Sequence, residues 1–235
     1  MSVLRTAVAV LLVALPWASG CASSAVSLSE GPRSFTETDY DRVYKRWTRS
    51  QDDFAWSRMA DVLHVTATFE SWEFRWAYVV RYAHDYSFDA NERDEMLRAS
   101  LADSQGRHRF FVTLAGQRIR ENDLTGRLSA WRVVLVDAQG HQIEPLEIER
   151  VRRPTPAEQV YFPSVNPHRM VFRIVFPARL GDGRPSIPEG SSKVRLRFTG
   201  ARGTVDLTWD LAPARTVAPT SGSSASVEAV TEAAP

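Results

Sequence analysis

Apolar and polar side chains alternate over residues 61–69, DVLHVTATF. Leu63, Val65, Ala67 and Phe69 fall on one face, and His64, Thr66 and Thr68 on the other. A period of two predicts a half-buried β-strand. Just upstream, Tyr40, Val43, Tyr44 and Trp47 recur at helical spacing, while 47–54 also suits the start of a strand. We read an extended segment over about 45–54 that pairs with 61–69. Residues 71–86 change the period. Ser71 is a fit N-cap, Glu73 suits a first turn, and Trp72, Trp76, Val79, Val80 and Ala83 share a helical face. Phe74, Tyr78 and Tyr82 form a second stripe, so this helix should pack against two surfaces. A second helix over 89–105 follows from the Asp89–Glu92 capping pair, the Leu97–Leu101 stripe and the stop at Gly106.

Beyond Gly106 the period returns to two. Strands are expected over 108–116 and 169–177, with hairpins over 130–151 and 193–211. The first hairpin turns at Asp137-Ala138-Gln139-Gly140, with glycine where positive φ is wanted, and Pro145 marks an edge or bulge in its second strand. In the second, Val194, Leu196 and Phe198 face inward with Val205, Leu207, Trp209 and Leu211, leaving Arg195 and Arg197 outside near Asp206. Seven or eight short strands without a βαβ rhythm predict a mainly β fold. The expected architecture is an antiparallel β-sandwich, immunoglobulin-like by default, with the two helices inserted near its N-terminal side.

The chain ends read differently. Residues 1–20 carry one charge, Arg5, and an apolar run too short to span a bilayer, which is the pattern of a signal peptide. Ala18-Ser19-Gly20 precede Cys21, the only cysteine, and this stretch resembles the lipobox of bacterial lipoproteins. The resemblance implies that Cys21 is lipidated, that cleavage makes it residue one, and that acyl chains anchor the protein in the membrane. Ala22 in the next position implies the outer membrane under the sorting rule of enteric-type bacteria. The mature domain resembles the β-sandwich domains of uncharacterised envelope lipoproteins, which implies no activity. Residues 21–37 then read as a lipidated cysteine and flexible tether, 38–211 as the folded domain, and 212–235, rich in Ala, Ser, Thr and Pro, as a disordered tail.

The formal net charge of +1 gives no long-range field to draw in nucleic acid. A single cysteine excludes an internal disulfide. The sequence has no G-x-S-x-G, H-E-x-x-H, P-loop or S-x-x-K motif, and its five histidines show no ligand spacing, so no cofactor or metal is expected. The acidic stretch 89–95 lacks the glycine of a calcium loop. Two sets of residues remain as candidate partner-binding surfaces. One is the arginine-proline loop with Arg150, Arg152, Arg153 and the following Tyr161, where guanidinium groups beside an aromatic ring could grip an anionic group. The other is the stripe Phe74, Tyr78 and Tyr82. Core packing is the simpler account of both aromatic sets. The expected function is a lipid-anchored, non-enzymatic module of the bacterial cell envelope that binds a protein or glycan partner. Its rivals are a periplasmic hydrolase whose site assembles only in the fold, and a structural subunit of an envelope complex.

Overall fold

Residues 40–55 adopt both of the competing readings in succession. The computed structural model, which describes residues 25–31, 33–55, 60–116 and 118–212, gives helix α1 (Tyr40–Trp47) running directly into strand β1 (Thr48–Ala55). Tyr40, Val43 and Trp47 are the buried stripe of α1. Lys45 and Arg46 complete its last turn, where cations suit the helix dipole, so the extended segment begins three residues later than the expected 45. β1 pairs antiparallel with β2 (Ala60–Phe69), Thr48 opposite Thr68.

The remaining strands are β3 (Arg107–Ala115), β4 (Arg132–Val136), β5 (Gln142–Ile143), β6 (Glu147–Val151), β7 (Met170–Pro177), β8 (Lys193–Gly200) and β9 (Gly203–Asp210). They form two antiparallel sheets, ordered β1-β2-β3-β7-β6 and β5-β4-β8-β9. With β1 and the short β5 set aside, the orders β2-β3-β7-β6 and β4-β8-β9 are the ABED and CFG orders of an immunoglobulin sandwich. The core lies between the sheets. Leu63, Val65, Phe110, Val112, Phe172 and Ile174 of one sheet face Val133, Leu135, Leu196, Phe198, Leu207 and Trp209 of the other, all buried.

The expected hairpin over 130–151 is only half formed. It turns where the sequence indicates, with Gly140 at φ +94° and the buried Asp137 accepting from the His141 backbone N–H at 2.8 Å. The return strand pairs with β4 only through Gln142 and Ile143. Pro145 has no N–H to continue the ladder, and from Leu146 the chain crosses to the other sheet, where β6 pairs with β7. The β8–β9 hairpin is as expected, with Arg197 forked onto Asp206 through two bonds of 2.7 and 2.6 Å.

Helices α2 (Trp72–Asp85) and α3 (Ala90–Ser104) fill the connection between β2 and β3. Ser71 accepts from the Phe74 N–H, and Asp89 and Glu92 close a reciprocal capping box. The two aromatic stripes of α2 do meet two surfaces. Phe74 packs against Tyr40 and Phe162, and Trp76 against Phe35. Between the stripes Arg75, only 5% exposed, bonds the Ser100 carbonyl at 3.0 Å, Asp103 at 3.1 Å and Glu70 at 3.3 Å, tying both helices to the end of β2. Burial raises the Glu70 carboxyl above its ordinary range, against the pull of Arg75 and Arg109.

One expected boundary is wrong. The tether was to run to residue 37, but Val26 is 1% exposed and belongs to the core. Its N–H donates to the Asp210 carbonyl and its carbonyl accepts from Ala212, each at 2.8 Å, making a parallel bridge to Leu211 beside the end of β9. An unpaired sheet edge offers ready hydrogen-bond partners to a passing segment. The expected signal peptide, Cys21 and the tail from 213 lie outside the described residues.

Candidate ligand-binding cavity

The connection from 152 to 169, between β6 and β7, holds a helix that the arginine-proline loop conceals. α4 (Pro156–Tyr161) starts with Thr155 as N-cap and proline in its first turn, and Glu158 reaches back to the Thr155 N–H at 2.7 Å. Proline is at home there because its missing N–H would have no helical partner. Phe162 stacks on Phe111 of β3 with centroids 3.9 Å apart, and Glu158 pairs with Arg173 of β7. These contacts fix α4 on the outer face of the five-stranded sheet. The chain returns through an Asx turn in which Asn166 accepts from the His168 N–H at 2.9 Å. Arg169 then reaches across β3 and donates to the Thr66 hydroxyl at 3.0 Å and the Thr113 hydroxyl at 3.4 Å.

Between these segments lies a cavity of 830 Å³. It is lined by the end of β3, a 3-10 turn at Ile119–Asn122, the end of β6, Gln159 of α4, and the residues entering β7. Leu114, Ile119, Val151, Val165 and Met170 supply apolar lining, and Asn122, Arg150, Arg152, Gln159, His168 and Arg169 the polar part. No carboxylate is among the described lining residues.

The three lining arginines differ. Arg150 donates to Asp123 at 2.7 Å, so its charge is neutralised within the domain and is not open to a partner as the arginine-proline loop suggests from sequence. Burial alone would raise the Asp123 carboxyl, but hydrogen bonds from Thr125 and the charge of Arg150 outweigh it and hold it below the ordinary range. Arg152 is exposed and pairs with no carboxylate among the described residues. Arg169 is held by hydroxyls alone. Asn122 is 4% exposed, lines the cavity, and no described residue bonds its side-chain amide. Arg153 is exposed but does not line the cavity.

The aromatic candidates form a different structure. Phe74 and Tyr161 are buried, and Tyr78 and Tyr82 partly so, in a cluster with Tyr40 and Phe162. The Tyr40 hydroxyl donates to the Tyr161 carbonyl, and the Tyr161 hydroxyl to Asp85 at 2.9 Å. Burial, and then the Asp85 hydrogen bond, push the Tyr161 phenol well above its ordinary range. Hydrogen bonds, first from Arg81, hold the Asp85 carboxyl at about 2. These rings weld α1, α2 and α4 together, with the hydroxyls of Tyr40 and Tyr161 engaged. Of the candidates read from sequence, the structure gathers Phe74, Tyr78, Tyr82 and Tyr161 in the aromatic cluster and brings Arg150 and Arg152 to the cavity. It adds Asn122, Gln159, His168 and Arg169, which no sequence motif marks. No family model matches this chain, and no curated protein matches it in sequence.

Proposed function

We propose that this chain is a lipid-anchored, non-enzymatic binding module of the bacterial cell envelope, held in the outer membrane, and that the arginine-lined cavity is where it takes its partner. The acid-free lining carries this reading: among the described residues it supplies guanidinium and amide donors and the single imidazole of His168 around an apolar surface, and neither a carboxylate to orient that imidazole nor a hydroxyl or thiol nucleophile for it to activate. Such a set suits holding a ligand better than moving protons.

The placement of the cavity supports the same reading. Val26 docks beside the end of β9, at the pole where β3 begins. Five residues from Cys21 to Val26 reach at most ~18 Å when fully extended. The cavity sits at the far end of β3, whose nine residues cover roughly 27 Å. A lipid on Cys21 would hold the first pole close to the bilayer and turn the cavity toward the aqueous compartment. The partner is then a soluble or wall-borne protein or glycan, and membrane contact runs through the lipid.

Two measurements in cells test this. Cys21→Ser should move the protein from the membrane to the soluble fraction, and a variant that still sediments after a high-salt wash overturns the anchor. A photo-crosslinking residue at Gln159 should capture a defined partner that the same residue at Asp182, on the other pole, does not. Equal capture from both positions overturns the cavity as the binding surface.

A further inference from the structure

Resting on the reading of the cavity as a binding site, we infer that the group it takes from its partner is an organic oxyanion: a carboxylate or phosphate carried on an apolar body. Four observations converge on that chemistry. The first is charge. Arg152 and Arg169 present guanidinium groups without a carboxylate partner among the described residues, and Arg150 is neutralised by Asp123. The site therefore has room for one or two negative charges.

The second is an open donor. Asn122 lines the cavity, no described residue bonds its side-chain amide, and that amide is accessible from the cavity. Its NH₂ and the planar forks of the arginines are the donors that an oxyanion accepts from. The third is Arg169. Its bonds to the Thr66 and Thr113 hydroxyls fix the stem of the guanidinium against the sheet without neutralising it, so this cation needs little ordering when an anion arrives. The fourth is the apolar lining by Leu114, Ile119, Val151 and Met170, which a bare inorganic ion would leave uncovered. The volume of 830 Å³ falls in the range of roughly 300–1,000 Å³ usual for small-molecule sites.

The test is a titration of the exported full chain carrying Cys21→Ser, which needs no detergent. The probes are benzoate, phenyl phosphate, inorganic phosphate and neutral benzyl alcohol. The expected result is that at least one aromatic anion binds tenfold or more tighter than benzyl alcohol and tighter than inorganic phosphate. The tighter of the two aromatic anions tells a carboxylate ligand from a phosphate ligand. Arg152→Ala should weaken that binding by roughly 10- to 100-fold, the loss of a charged hydrogen bond. Asn122→Asp, which places a negative charge in the cavity, should weaken it at least as much. Arg153→Ala removes the same charge outside the cavity and should leave binding unchanged. Because Asn122→Asp adds a charge to a buried site and could unfold the chain, Arg152→Ala on the exposed rim decides the matter on its own. Anions that bind no better than benzyl alcohol, or affinity unchanged in Arg152→Ala, would overturn the inference. If all four probes fail while the Gln159 crosslink still captures its partner, the oxyanion assignment falls and the binding module stands.

Discussion

The indole nitrogen of Trp209 donates a hydrogen bond to the backbone carbonyl of Trp47 at 2.9 Å. Both side chains are fully buried, and 162 residues separate them in sequence. The bond joins the last strand to the point where α1 becomes β1. It gives an inward-facing tryptophan the partner that its N–H requires in an apolar core. The ring also packs against Phe69 and Phe110, at centroid distances of 6.1 and 5.5 Å. Trp209→Ala should cost ~3–5 kcal/mol in chemical denaturation. Trp209→Phe keeps much of the packing and removes the donor, so it should cost less, about 1–3 kcal/mol. A Trp209→Phe variant as stable as the natural chain would show that the hydrogen bond contributes nothing beyond the ring.

Gly200 closes β8 just before the turn into β9, where it stands opposite Gly203. A Cβ at this position would overlap the backbone carbonyl of Ala130, the residue that leads into β4. The requirement is for space and not for an unusual φ, and main chain cannot rotate away as a side chain could. Gly200→Ala should therefore destabilise the domain by the ~1–3 kcal/mol of an overpacked site. A Cβ at Gly181 meets no atom within 4 Å, so Gly181→Ala is the matched control and should leave the midpoint of thermal unfolding unchanged.

Strand faces, helix caps and the Gly140 turn were legible because each is written in residues a few positions apart. The caps at Ser71 and Asp89 need only the next three residues. α4 was legible in the same way, since Thr155-Pro156-Ala157-Glu158 spells a capping box with proline at the first position, but a second proline at 154 made the stretch read as an irregular loop. The cavity had no such local signature. Asn122, Arg152 and Arg169 come from three connections that meet only when β3, β6 and β7 are paired. The pairing of Arg150 is not local either, since its partner, Asp123, lies 27 residues back. Val26 was hidden by its neighbours: one apolar residue in a small polar run looks like tether until the open edge of β9 is known to lie beside it.

His108, near the start of β3, is half-buried, edge-on against Phe69 with centroids 5.7 Å apart. Burial lowers its pKa from the ordinary 6.5 to about 4, because charging the imidazole there would strip it of water. Above pH 6.5 the ring is neutral in both folded and unfolded chains and costs nothing. As pH falls from 6.5 to 4 the unfolded chain takes up the proton first, so the folded state loses stability across that window. Glu70 works in the opposite sense, its carboxyl being raised by burial, so the comparison must be between variants and not absolute. The drop in thermal midpoint between pH 7 and 4.5 should be smaller in His108→Leu than in the natural chain. Parallel pH profiles would mean that His108 titrates normally in the fold.

Val26 sets how much chain is free between Cys21 and the domain, and the stability it contributes can be measured apart from any membrane. Its side chain is buried, and its backbone makes two 2.8 Å hydrogen bonds with residues 210 and 212. Removing two carbons from a buried valine forfeits ~0.8 kcal/mol for each carbon and leaves a small void, so Val26→Ala should cost about 2 kcal/mol. For a domain of this size that corresponds to a fall of about 4–8 °C in thermal midpoint. Val26→Asp should cost more, since an unpaired carboxylate would be driven into the core or the segment would peel away from Leu211. Peeling would add the segment 26–36 to the leash. In that variant, limited proteolysis should cut the chain ahead of α1 while the domain from residue 38 survives. If both variants unfold at the natural midpoint, the N-terminal segment is not docked in solution, and the short-leash orientation of the cavity fails with it.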